Sequence, residues 1–257
     1  MLTKRQKITI SSSLLASSIF LLPYIDKSNH FFIILAIFVA SYFLSIWSIY
    51  AAFSPYELVS LFSLPVLLTV SFAIFFSKFE VSFGTGIILA LTYVVVMYTI
   101  LLSENIFNVS VERNIPLVRA ARTVGYLATL FVTFAFFTLI FGLGLSNILF
   151  ALIAFIASAL LFAQGFWQIE LKETNSRRLI YFSVVSGLIV SEVSWALSYW
   201  PLDPPKMGLA LAACVYVVMG VLQHFIKEDL TRRTLFEYIF VAGSVLTLLV
   251  LSTSWGA

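Results

Sequence analysis

Charge is what this sequence has least of. Of its 257 residues only 11% are Asp, Glu, Lys or Arg, against about 25% in an ordinary soluble domain. Hydrophobic residues make up 61%, and mean hydropathy is +1.05. Too few polar groups exist to cover a globule of this size. That excludes a soluble enzyme, a disordered tail and a small secreted module. Cysteine is almost missing too. Cys214 stands alone inside an apolar run, so no disulfide framework, CxxC pair or Cys-based metal site can form within one chain. Its reading is a small packing residue.

The equipment of common enzymes is also absent. The two histidines, His30 and His224, fall at opposite ends of their apolar runs, so they cannot share a metal or a haem. There is no HExxH, no G-x-S-x-G elbow, no P-loop lysine motif and no GxGxxG fingerprint. No lysine lies inside an apolar run to carry a Schiff base. No cofactor and no metal are expected. The net charge of +3 comes from short basic groups at run boundaries, with no long basic surface for nucleic acid.

What is present is apolar length. Divided at its charged clusters, the chain gives nine runs at 8–25, 31–53, 58–77, 84–103, 123–142, 146–169, 179–199, 207–226 and 235–254. Most match the roughly 20 residues that cross a hydrocarbon core of about 30 Å. They lack the alternation of membrane strands. The predicted fold is therefore all-α: one polytopic transmembrane helical bundle over residues 1–257. Connections are short, as in Leu143-Gly144-Leu145 and the proline-stiffened 200–206 loop.

Charge placement predicts orientation. With the N-terminus inside, the inner segments hold Lys4, Arg5, Lys7, Arg113, Arg119, Arg122, Lys172, Arg177, Arg178, Lys227, Arg232 and Arg233. The outer segments hold Lys27, Lys78 and Lys206. Twelve of fifteen basic residues inside is the pattern of cytoplasmic loops, so the C-terminus is expected outside. Without a crossing by the first run, the split becomes nine against six. That run also resembles a signal peptide, but no A-x-A site follows before Asp26, and an uncleaved first helix is expected. Asn114 and Pro116 suit the start of the fifth helix. The acceptor pattern at Asn108-Val109-Ser110 falls inside and is set aside.

Two inner loops, Glu173–Arg178 and Glu228–Arg233, share the form E-x-x-[ST]-R-R at a spacing of 55 residues. Convergence on cytoplasmic charge explains this as simply as an internal repeat does. Trp167, Trp200, Trp255 and Tyr238 sit at or beside run ends, as interface anchors do. The 26 phenylalanines read as core and lipid contact.

The seventh run carries the candidate site. Glu192 is the one charged side chain deep within a run, 13 residues from Leu179 and about 20 Å along a helix. An acidic group there costs a few kcal/mol, and such groups usually face protein or a water-filled cavity. Trp195 and Tyr199 share its face. Ser183, Gly187, Ser191, Ser194 and Ser198, spaced 4, 4, 3 and 4, form a stripe of small residues suited to close helix packing. Arg113, Arg119 and Arg122 cluster where a lipid headgroup phosphate could be held, or simply set the topology. Glu57 and Glu237 suit helix N-termini and receive no function.

The stretch Glu104-Asn105-Ile106-Phe107-Asn108, followed by Arg113-Asn114-Ile115-Pro116-Leu117-Val118-Arg119-Ala120-Ala121-Arg122-Thr123, resembles a signature of uncharacterised bacterial multi-pass membrane proteins. The resemblance covers about twenty residues and implies a bacterial inner membrane. It carries no catalytic residue into this chain.

Three functions remain. The first is a non-catalytic membrane subunit or scaffold, among lipids and with a membrane-protein partner or further copies of itself, assembled through helix faces such as the Ser/Gly stripe. The second is a small transporter or channel with Glu192 as coupling or selectivity group. The third is a lipid-modifying enzyme, which lacks a second positioned acid or base.

Overall fold

The computed structural model describes residues 2–49, 55–112, 117–169 and 176–253. Asn114, Pro116, Trp255, Arg113, Lys172 and the first half of the first E-x-x-[ST]-R-R loop lie outside the described residues. Among those described, all regular structure is helical: α1 Lys4–Leu21, α2 His30–Ile49, α3 Pro55–Lys78, α4 Phe83–Glu112, α5 Val118–Phe141, α6 Asn147–Trp167, α7 Ser176–Leu197, α8 Pro204–Ile226 and α9 Arg232–Ser252. Each is long and apolar enough to cross a membrane.

Local chemistry explains where these helices start and stop. Thr3 and Gln6 form a capping box at α1: Gln6 N donates to Thr3 Oγ1 and Thr3 N to Gln6 Oε1. Ser146 and Thr231 cap α6 and α9. Gly144 takes φ +69° between α5 and α6, a backbone conformation costly to residues with a Cβ. After α8 the chain makes a Schellman turn, with Asp229 N donating to His224 O and Glu228 N to Phe225 O. Glu228 holds its left-handed position with φ +58°. The helix α4 runs nine residues beyond the apolar run ending at 103. Glu104 and Asn105 contain no helix breaker, and the helical ladder of α4 does not depend on hydropathy.

The chain divides into two compact units, Met1–Ala128 and Thr129–Ala257. In the first unit α1 lies against α2 and α4, and α3 against the same two helices. Ser11 Oγ donates to Leu44 O at 3.2 Å, joining α1 to α2. His30, at the start of α2, pairs Nδ1 with Ser77 Oγ of α3 at 2.8 Å.

One polar pair joins α3 to α4 inside this unit. Thr69 Oγ1 lies 2.7 Å from Pro65 O and 2.8 Å from Tyr93 Oη, and both residues are fully buried. The threonine proton goes to the Pro65 carbonyl, so the Tyr93 hydroxyl is the donor to Thr69. The two ends of this bond should therefore differ on mutation. Tyr93→Phe leaves Thr69 satisfied and should cost about 0.5–1.5 kcal/mol, whereas Thr69→Val strands a buried phenol and should cost about 1–3 kcal/mol. Unfolding midpoints in denaturing detergent would check the order. Equal losses would remove this assignment of the protons.

In the second unit α6 and α7 form a tight antiparallel hairpin, α8 packs on α7, and α9 packs on α8. Gln223 Nε2 of α8 donates to Gly165 O of α6 at 3.4 Å. Tyr238 of α9 lies over Gly220 of α8 and 5.1 Å from the Tyr216 ring, so it serves as a packing residue in this unit. Trp167 is buried at 2% exposure, because the last two turns of α6 are enclosed on all sides.

Candidate functional site

Three faces of α7 have three different surroundings. The first is the small-residue stripe. Ser183 and Ser194 are buried. A Cβ on Gly187 would stand 2.8 Å from Ala159 Cβ and 3.0 Å from Phe155 O. Ser191 Oγ donates to Ala151 O at 2.8 Å. Ala151, Phe155 and Ala159 recur every fourth residue along α6, so two stripes meet face to face at backbone distance. Ser198, half-buried near the end of α7, donates its hydroxyl to Trp195 O. At Gly187 and Ser191 the stripe is covered by α6.

The second face lies toward α8 and α9. Val193 and Leu197 meet Ala210, Cys214, Val217 and Ala242 around an almost wholly apolar groove of about 290 Å³. Cys214 is one of its walls, and the other lining residues named for the groove are Val, Leu and Ala.

The third face is open. Tyr181, Leu188, Glu192, Trp195 and Tyr199 are all exposed. The spacing of Tyr181, Leu188, Glu192 and Trp195, 7, 4 and 3, places them on one side of α7, and Tyr199 follows in the turn after Leu197. Trp195 and Tyr199 pack edge to face, with ring centroids 6.3 Å apart. Glu192 makes no hydrogen bond or ion pair among the described residues. It stands five residues before the end of α7, about 8 Å along the axis. An acceptor carboxyl therefore sits on an apolar and aromatic surface, with an indole N–H one turn further along and a phenol in the turn just past the end of α7.

Arg119 is exposed and Arg122 half-buried in the first turns of α5, which belong to the first unit. Arg113 lies outside the described residues.

The deeply buried acids are not the one that hydropathy singles out. Glu104 is fully buried and Glu57 is 7% exposed, both within the first unit. Glu104 falls outside the apolar run, yet it continues the buried stripe Tyr93, Met97, Ile100, Glu104, Phe107 at spacings of 4, 3, 4 and 3. That periodicity was available in the sequence and marks Glu104 as core-facing. Hydropathy alone hides it, because a window average falls as soon as polar residues enter, whichever face they occupy. Glu57 begins α3, the most enclosed of the helices, and its burial follows from that enclosure.

No curated protein and no solved structure matches the chain. A family model does, over residues 10–252, and it is described only as a protein of unknown function. By that match the chain belongs to the DUF5656 family.

Proposed function

We propose that this chain is an integral membrane protein of nine crossings in a bacterial inner membrane, with the N-terminus inside and the C-terminus outside. In this reading it is a non-catalytic subunit that docks another membrane helix on the open face of α7. Nine helices of spanning length among the described residues support the crossings, and twelve basic residues against three support the orientation. Arg119 and Arg122, with Arg113, then lie at the inner headgroup level, where they meet lipid phosphates. One observation carries the docking role: an exposed carboxyl, Glu192, with no partner among the described residues, on a face otherwise apolar and aromatic. In lipid such a group is stabilised by a hydrogen-bond donor from a neighbouring helix. The small stripe already serves α6, so the face left for a partner is the acidic one. A coupling role in transport would require a water-filled path to Glu192, and its apolar surroundings favour docking.

Orientation is directly testable because the chain has a single cysteine. In a Cys214→Ser background, cysteines replacing Lys27, Lys78 or Lys206 should react with an impermeant maleimide on intact spheroplasts. Cysteines replacing Lys4 or Lys227 should react only after permeabilisation. The reverse pattern would overturn the orientation. Docking is tested by placing a photo-crosslinking benzoylphenylalanine at Leu188. A defined adduct in native membranes is expected, and its absence would count against the docking face. Glu192→Gln should leave proton and solute uptake unchanged. Lost uptake would favour the transport reading.

A further inference from the structure

We infer that the helix docked on the α7 face is α7 of a second copy of this chain, in a parallel pair related by a two-fold axis. The inference rests on the docking reading above and names its partner. Copies inserted the same way in one membrane have parallel α7 helices, so equivalent residues meet at equal depth. A two-fold contact must be self-complementary, residue i meeting j while j meets i. The open face of α7 has that property. Glu192 supplies an acceptor, Trp195 an N–H that can only donate, and Tyr199 a hydroxyl that can do either. Trp195 is three residues from Glu192, about 4.5 Å along the axis, within reach of a carboxyl across a parallel interface. Each copy therefore offers the donor that the other copy's Glu192 lacks, and the contact is made twice.

The rest of the face fits the same partner. Tyr181 at 66% exposure, Leu188 at 47%, Trp195 at 49% and Tyr199 at 65% form an apolar and aromatic seam along most of α7. Tyr181, Leu188 and Trp195 recur at seven-residue intervals, the repeat that lets two parallel helices stay in contact over their length. Among the described residues the basic side chains all lie within the first or last two turns of a helix or beyond it, so a second copy meets Glu192 with neutral donors. Glutamine should then replace glutamate at this position, and leucine should not.

The test uses the full chain in native membranes in a Cys214→Ser background. Leu188→Cys should form an intermolecular disulfide under mild oxidation. Gly243→Cys, in open space on α9, should not. Adding Glu192→Leu to Leu188→Cys should lower the disulfide-linked fraction about tenfold, the effect of two lost interhelical hydrogen bonds of about 0.6–1 kcal/mol each. Glu192→Gln should leave it unchanged, and Trp195→Phe should reproduce the loss. Thermal midpoints of the monomer in detergent distinguish a lost contact from a misfolded variant. No Leu188→Cys disulfide, alongside a benzoylphenylalanine adduct of another mass at that position, would overturn the second-copy partner and leave the docking face standing. Neither disulfide nor adduct would overturn both. A disulfide insensitive to Glu192→Leu and Trp195→Phe would overturn the hydrogen-bonded pairing proposed here.

Discussion

Gly187→Leu is expected to destabilise the second unit by about 2–3 kcal/mol or more, at the upper end of overpacking changes. Alanine alone would already be too large. Its Cβ would lie 2.8 Å from Ala159 Cβ and 3.0 Å from both Ala159 N and Phe155 O. Two of those three atoms are backbone and cannot rotate away. Accommodating leucine requires α6 and α7 to separate, which also lengthens the bond from Ser191 to Ala151 O. Gly187→Ala gives the cleaner sign. In an open helical position glycine to alanine stabilises by about 0.5–1 kcal/mol. Gly243 on α9, with nothing within 4 Å of a Cβ, should show that gain. Gly187→Ala should instead lose stability. Unfolding in mixed micelles, followed by tryptophan fluorescence, would measure both. Parallel behaviour of the two alanine variants would mean that the α6–α7 approach is looser than described.

Gly208→Leu should cost about 3 kcal/mol or more. A Cβ at Gly208 of α8 would stand 2.7 Å from Phe134 O and would run into Thr138 Oγ1, both on the part of α5 in the second unit. Thr138 Oγ1 is buried without a hydrogen-bond partner among the described residues, so this crossing is already tight. Gly142 and Pro204 approach beside it, at 3.6 Å from a Cβ on the glycine to Pro204 Cβ. A side chain at Gly208 therefore presses α8 away from α5 where the two cross. The readout is the same micelle unfolding experiment, with Gly84→Leu in the first unit, another position with open space around a Cβ, expected within about 0.5 kcal/mol of the parent. A neutral Gly208→Leu would remove the α5–α8 crossing from the fold.

Neither glycine stands out by composition. Gly187 was legible in part, because it interrupts a serine stripe of helical period. The stripe did not reveal that its partner is Ala151, Phe155 and Ala159 of the same chain. Gly208 follows Pro204-Pro205-Lys206-Met207 at the start of α8 and reads as an ordinary position near a helix start. Its constraint comes from α5, some seventy residues away in sequence. The acids separate in the same way. Glu192 interrupts an apolar run and draws attention by contrast, yet it is exposed. Glu104 sits among Ser103 and Asn105, draws none, and is fully buried.

The sequence by itself determined that long apolar helices form among the described residues, and roughly where they start and stop. Those properties follow from run length, capping residues and the supply of charge, all of which act locally. Only the tertiary structure decided which face of α7 is covered and which is open. The physical reason is that neighbouring helices and lipid tails are both apolar surroundings. A hydropathy pattern separates water from hydrocarbon, but it does not separate lipid from a packed helix. That choice depends on which surfaces approach to backbone distance, and here Ala151 and Ala159 meet Gly187 and Ser191 while Glu192 is left facing outward.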